Sequence, residues 1–482
     1  MSELLSLKPN EVWSFFDQIT KIPRPSKKEE KIVSFLEKFA LDRKLKYKKD
    51  KLGNITIFKP ATKGKENCEM VVLQAHVDMV CEKNADKVHN FERDAIVPLI
   101  EDGWVKADGT TLGADDGIGV AAALAVLDNE TIAHGSLQCL FTIDEETGLT
   151  GAFGLEDGFI EGRKLINLDS EDEGELFIGC AGGIGTEARF RIYDKETSTG
   201  CLGIKVTVKG LNGGHSGDDI DKGHANANKL IARFVKRAID EVGFELSDIQ
   251  GGNLHNAIAR EASAVGVVPF ARKEEIRILF NIFSSEIQDE YHAAESAIDL
   301  HLETVDLPSK VFTTEFQNRL IMALIACPHG VVEMCHDIPG LVETSTNLAS
   351  IKREENTIVV VTSQRSSVES AKEYVKLMVA STFKLAGADV CHSEGYPGWT
   401  PNVNSQILAV TVDAYKQLFG VAPKVRAIHA GLECGLFLKK NPGLDMISFG
   451  PTLRGVHSPT ERIEIESVGK FWDLLLAVLA RL

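Results

Sequence analysis

The chain has 482 residues, with 70 Asp and Glu against 53 Lys and Arg and a formal net charge of −17. At that length two or more domains are expected, and the acidic balance argues against nucleic acid and anionic membranes as partners, since both reward basic patches. The nine cysteines are scattered and odd in number, without a CxxC pair, and no stretch approaches the ~20 apolar residues of a membrane span, so a cytoplasmic location with reduced thiols is expected.

From the N-terminus, two helical patterns are broken at Pro23 and Pro25, and Ser26 with Glu29 has the spacing of a capping box for a helix over KIVSFLEKFALDR. This opening reads as scaffold. From Asn54 to Cys180 apolar strand-like runs alternate with helical patterns, which predicts a mostly parallel sheet covered by helices. MVVLQA runs into His76 and Asp78. GTTLGADDGIG presents Asp115 on a turn its glycines permit; it lacks the GxGxxG spacing of a phosphate-binding loop. SLQCLFTID leads to Glu145 and Glu146, and KLINLD ends at Asp169. Each of these residues stands where a strand gives way to a loop, the place where an α/β sheet displays chemistry.

Adjacent glutamates usually form a solvated face. Here they emerge from a buried strand, where neighbouring carboxylates repel unless something positive compensates them. With His457 in RGVHSPTE the set reads as a two-metal hydrolase, because zinc-like ions take imidazole and carboxylate ligands and one carboxylate can bridge two ions roughly 3.5–4 Å apart.

The character of the chain changes around Gly182 and Gly183. The segment 186–392 reads as an inserted α+β domain, with strand-like runs GIKVTVKG, EIRILFNIF and NTIVVVTSQ and amphipathic helices HANANKLIARFVKRAID and SVESAKEYVKLMVASTFK. Strand followed by helix occurs twice, at GIKVTVKG and at NTIVVVTSQ, which suggests an internal duplication. After GYPGWTPN, read as a domain junction, the alternating pattern returns with ISFGP and a terminal helix VGKFWDLLLAVLARL. His457 lies beyond the insertion while the other candidate ligands precede it. The catalytic domain is therefore expected to be discontinuous, in residues 1–185 and 393–482, with 186–392 as a lid.

HVDMV, GTTLGADDGIGVAAALAVL, TIDEETGLTGA, NLDSEDEGELFIGCAGG, NGGHSG and RGVHSPTERI resemble the sequence blocks of the aminoacyl-histidine dipeptidases (Xaa-His dipeptidases, bacterial carnosinase-like). That group belongs to the co-catalytic zinc aminoacylase and carboxypeptidase superfamily. The resemblance implies an α/β fold, a discontinuous zinc-peptidase-type catalytic domain with an inserted α+β lid. It implies two divalent metal ions per chain, zinc by preference, with cobalt or manganese satisfying the same ligands. His76, Asp115 and Asp169 would hold one ion and Asp115, Glu146 and His457 the other, with Asp115 bridging. Asp78 would orient His76, Glu145 would act as general base and pass its proton to the departing amine, and His215 of NGGHSG would donate a hydrogen bond to the oxyanion.

In relatives with shorter lids this histidine comes from a partner subunit; the longer lid here leaves its origin open, as it leaves open a homodimer. Asn256 in GGNLHNAIARE and Arg365 in TSQRSS match lid positions used near the substrate carboxylate, and Gly431 and Glu433 in IHAGLECG match positions near the active site. Asp116 stays unassigned, and His224, His255 and His429 are read as structural or surface residues. The implied activity is hydrolysis of unblocked dipeptides, favouring Xaa-His and including β-alanyl-histidine. The alternatives are a deacylase or carboxypeptidase for N-acyl amino acids on the same scaffold, and a non-catalytic binding protein of the same fold.

Overall fold

The computed structural model describes residues 2–482, and the elements below are those of the described residues. It divides into two compact units. The first comprises the residues up to Gly179 with Trp399–Ala427 and Leu432–Leu482; the second comprises Cys180–Gly398 and Ile428–Gly431.

The first unit is built on an eight-stranded sheet in the order Lys46–Lys49, Ile55–Lys59, Leu137–Thr142, Val71–His76, Lys164–Asn167, Asp445–Ser448, Glu175–Cys180, Lys424–Ile428. The four strands from Leu137–Thr142 to Asp445–Ser448 run parallel, and the first two strands and Glu175–Cys180 join antiparallel. Val71–His76, Leu137–Thr142 and Lys164–Asn167 are buried along their whole length. Strands covered on both faces read as continuous apolar runs, which is why these were legible. The helix Ala114–Asp128 is buried from Asp116 to Leu127, and Asn10–Ile19 packs against it with Trp13 and Phe16 fully buried. A four-stranded sheet pairs the hairpin Leu453–Arg454/Arg462–Glu464 with Trp104–Ala107 and Pro98–Glu101.

The expected capping box at Ser26 and Glu29 does not form. The helix spans Glu30–Asp42 with no side-chain cap, because both side chains are recruited elsewhere. Ser26 Oγ donates to Asp78 Oδ2 at 2.8 Å, and Glu29 Oε1 accepts from the backbone of Lys27 and of Asp144.

The second unit carries a nine-stranded sheet whose topology shows two copies of one plan. The strands Cys201–Lys209, Glu245–Gly251, Ala262–Pro269 and Asp299–Val305, with helices Ala227–Val242 and Lys273–Tyr291, follow βαββαβ and lie in the order fourth, first, third, second. The strands Gly182–Arg191, Val342–Glu354, Thr357–Ser366 and Asp389–His392, with helices Thr314–Ala326 and Glu369–Leu385, repeat that plan in mirror order. The two second strands meet antiparallel through Gly251 and Ile351. One copy is nested inside the other, between its first strand and first helix. The duplication is therefore present with a different correspondence: GIKVTVKG is a first strand and NTIVVVTSQ a third.

EIRILFNIF is helical, not a strand. The helix Lys273–Tyr291 that contains it buries Ile276, Leu279, Phe280, Phe283 and Ile287, at the spacing of one helical face, and the core they enter also holds Phe234, Phe316 and Phe383 with Val206 and Val360 of the strands. Strand side chains alternate, so Arg365 and Ser363, paired with Ser345 and Asn347, lie on the face opposite Val360.

Candidate metal centre

His76 ends a central strand, Glu145 and Glu146 follow the strand Leu137–Thr142, and Asp169 follows Lys164–Asn167, so three parallel strands deliver their loops to one place. Asp115 stands at the start of the buried helix Ala114–Asp128, where it and Asp116 depart from helical geometry. His457 comes from the 453–464 hairpin with φ of 61°, a left-handed conformation costing roughly 1–2 kcal/mol for such a residue.

The two oxygens of Asp115 face different partners. Oδ1 lies 3.0 Å from His76 Nε2, which is 3.7 Å from Asp169 Oδ1. Oδ2 lies 3.1 Å from His457 Nε2, which is 3.0 Å from Glu146 Oε2. His76, Asp115 and Asp169 can bring ligand atoms within 4.8 Å of one another, and so can Asp115, Glu146 and His457. Glu145 belongs to neither triad. Asp78 Oδ1 sits 3.3 Å from His76 Nδ1, an ion-pair contact and not a well-formed hydrogen bond, and the Asp78 carboxylate accepts the backbone N–H of Glu145 and of Glu146.

The electrostatics call for cations. Six carboxylates (Asp78, Asp115, Glu145, Glu146, Asp169, Glu433) surround two imidazoles, and Glu146 Oε1 and Glu433 Oε1 are buried without a hydrogen-bond partner. Hydrogen bonds to Asp115 and Glu146 push His457 up to about 11. Burial opposes charge on His76, yet Asp169, Asp115 and Asp78 outweigh it and hold the imidazole well above its usual range. Burial, reinforced by neighbouring carboxylates, raises Asp169 and Glu145 well above theirs. Imidazole and carboxylate donors with buried, unsatisfied oxygens fit a pair of divalent ions.

Several residues that shape this centre were not legible as site residues. The Arg24 guanidinium, 2% exposed, donates to the carbonyls of Val77 (2.9 Å), Asp78 (2.6 Å) and Gly113. It thus ties the turn after His76 to the turn before Asp115. From the other side Glu461 accepts the backbone N–H of Leu112 (2.7 Å), Gly113 (2.9 Å), Ala114 (2.7 Å) and Asp115 (3.3 Å). Gly113 is required between them: its φ is 69°, and a Cβ would meet Arg24 Nη2 at 2.6 Å. Glu433, which was expected near the active site, also borders this centre: its Oε2 accepts from Gln74 Nε2 and Thr142 Oγ1, both at 2.7 Å, and burial pushes its carboxyl up to about 7. The available signals were slight: an arginine between two prolines, and a glutamate four residues after His457.

Residues 72–481 match the model of peptidase family M20/M25/M40. The chain belongs to that family. It is 43% identical over 479 residues to the cytosol non-specific dipeptidase of Escherichia coli (strain K12), covering 99% of each chain. Among solved structures it is similar to the aminoacylhistidine dipeptidase of Vibrio alginolyticus, with a TM-score of 0.94 and 45% identity over 100% of this chain and 98% of that one. The aminopeptidase PepT of Bacillus cereus, with a TM-score of 0.58 and 17% identity over 98% of each chain, shares the fold. The zinc-peptidase-type α/β fold implied by the motifs is thus the fold of this M20 chain, its sheet parallel at the centre and antiparallel at the flanks.

The remaining expected residues of the M20 chain, His215, Asn256, Arg365 and Gly431, belong to the second unit. Arg365, 8% exposed, donates through Nη1 to Tyr396 Oη (3.0 Å), and its Nη2 lies 3.4 Å from His215 Nε2. His215 Nδ1 is 3.1 Å from Asp218 Oδ2, a contact that lowers the Asp218 carboxyl. Asn256 joins this loop through its carbonyl, which accepts from Ser216 N, and Gly431 lies against the Tyr396 ring. His429 is buried on Ser345 Oγ at 2.7 Å, His224 Nδ1 meets the Gly213 carbonyl, and His255 is exposed. Among the described residues no helix is long and apolar enough to cross a membrane.

Proposed function

We propose that this M20 chain is a cytosolic two-metal dipeptidase for unblocked dipeptides, with Xaa-His, including β-alanyl-histidine, as the favoured class and zinc as its metal. The observation that carries this reading is Asp115, whose two oxygens each face an imidazole and a further carboxylate, while Glu145 stands outside both triads. The names of its relatives, a non-specific dipeptidase and an aminoacylhistidine dipeptidase, support dipeptides as substrates and leave breadth of selectivity to experiment.

When bound, the ions supply Lewis acidity to the scissile carbonyl and to a water. Asp169 and Glu146 complete the two ligand sets, and Asp78 holds His76 in its ligating orientation. Glu145 takes a proton from the water on a carboxylate oxygen and delivers it to the departing amine nitrogen. Glu433, through its unpartnered Oε1, accepts the free ammonium group of the substrate. The second unit acts as a lid: Arg365 takes the free carboxylate and Asn256 and the Gly431 backbone line its surroundings, while His215 donates to the developing oxyanion. Requiring both termini lets the enzyme count two residues.

Metal-reconstituted protein assayed on Xaa-His dipeptides beside their N-acetylated forms tests the reading. Hydrolysis of the unblocked peptides alone is expected; equal or better turnover of N-acetylated substrates would instead favour the deacylase.

A further inference from the structure

The guanidinium of Arg365 is buried, yet its contacts include no carboxylate. Asp218, whose charge reaches it, bonds to His215. Nη1, the far end of the fork, is taken by Tyr396 Oη at 3.0 Å; Nε has no hydrogen-bond partner, and Nη2 has only His215 Nε2 at 3.4 Å. The Nε–Nη2 edge can receive a carboxylate in two parallel bonds, and it is the bidentate edge that does not involve the Nη1 held by Tyr396. A buried cation with that edge left open is an anion site held in waiting, because an unsatisfied buried donor costs on the order of 1–3 kcal/mol.

Tyr396 is itself fixed. Its backbone forms a bridge with Gly183, N to O at 2.8 Å and O to N at 3.0 Å, and the buried Lys372 ammonium donates to its carbonyl at 2.7 Å. Its ring fills space left by two glycines: a Cβ on Gly183 would stand 2.6 Å from Oη, and one on Gly431 would stand 2.7 Å from Cε2. Gly183 is also directly opposite Arg365 in the ladder. The segment GYPGWTPN, which the sequence suggests is a domain junction, thus delivers a phenol to one atom of one arginine.

We infer that Tyr396 is a positioning residue for carboxylate recognition: by holding Nη1 it sets the rotation of the Arg365 guanidinium so that the Nε–Nη2 edge is presented to the C-terminal carboxylate of a dipeptide. The inference rests on the reading of Arg365 as the carboxylate contact. It assigns to Tyr396 an effect on selectivity for the free acid, which a residue that only packs would not have.

The test compares Tyr396→Phe and Arg365→Ala on β-alanyl-histidine and its C-terminal amide, with metal content and melting temperature as controls for folding. Tyr396→Phe is expected to raise KM for the free acid roughly tenfold, about the worth of one hydrogen bond to a charged group, with a smaller change in kcat and little change on the amide. Gly183→Ala, whose Cβ displaces the hydroxyl, is expected to act in the same direction and serves as the second variant. Acid and amide equally affected by Tyr396→Phe, or neither affected, while Arg365→Ala remains selective, would overturn this inference alone. An Arg365→Ala protein that treats acid and amide alike would remove the reading beneath it as well.

Discussion

Glu145 and Glu146 are neighbours in sequence whose backbones hang from the same Asp78 carboxylate, and both bring a carboxylate within 4.8 Å of His76, yet they stand differently toward Asp115. Glu146 turns its Oε2 to His457 and joins a triad; Glu145 joins neither triad on Asp115. The two should therefore respond differently to loss of charge. Glu145→Gln is expected to lower kcat by at least about 10²–10⁴-fold, as loss of a general base does, with two ions retained. Glu146→Gln is expected to lose metal first. Metal analysis of both variants beside their kinetics checks this, and equal metal loss in the two would show the division of roles to be wrong.

At the scale of elements, one short hairpin does two things. It carries His457, and four residues later it places Glu461 under the turn that presents Asp115. Glu461→Gln keeps the shape but replaces one accepting oxygen with an amide that cannot accept from that turn. Both ions should then bind more weakly, roughly tenfold or more, because Asp115 faces both triads. Titration calorimetry of the metal-stripped variant checks it; unchanged affinity for both ions would show that the turn holds itself. The strands that end in His76, Asp169 and the glutamates were legible because continuous apolar runs stop at polar residues. Arg24, Ser26, Glu461 and Tyr396 were not, because their partners lie tens to hundreds of positions away. Ser26 had the spacing of a cap and was taken by Asp78. The repeat was half legible: strand–helix units recur within each βαββαβ copy as well as between copies, so pattern alone paired a first strand with a third.

For the whole molecule, the acidic cluster ties stability to pH with a definite sign. Without metal, His76 and His457 are held above their ordinary pKa of 6.5, and Asp169 and Glu145 above theirs. A raised folded-state pKa gives stability that is complete below the unfolded value and lost as pH rises through the folded one. The metal-stripped protein should therefore melt at progressively lower temperature from about pH 6 to about pH 9. Added zinc should flatten or reverse that slope, since ions replace the protons and bind better as ligands deprotonate. Thermal melts across that range with and without zinc check it, and a metal-free protein that gains stability toward alkaline pH would contradict the charge assignment.

The nested module of the second unit leaves and re-enters its host through a narrow stem. Asp194–Glu196 pairs with Lys310–Phe312, and Thr197 N donates to Ser309 O at 2.9 Å, so the stem of the cassette is a short ladder whose last rung is Thr197–Ser309. An in-frame genetic insertion at a tight turn there would disturb no strand pairing of the host. The same rung marks where a two- to four-residue turn could replace the cassette, leaving a shorter gene that encodes the host module alone.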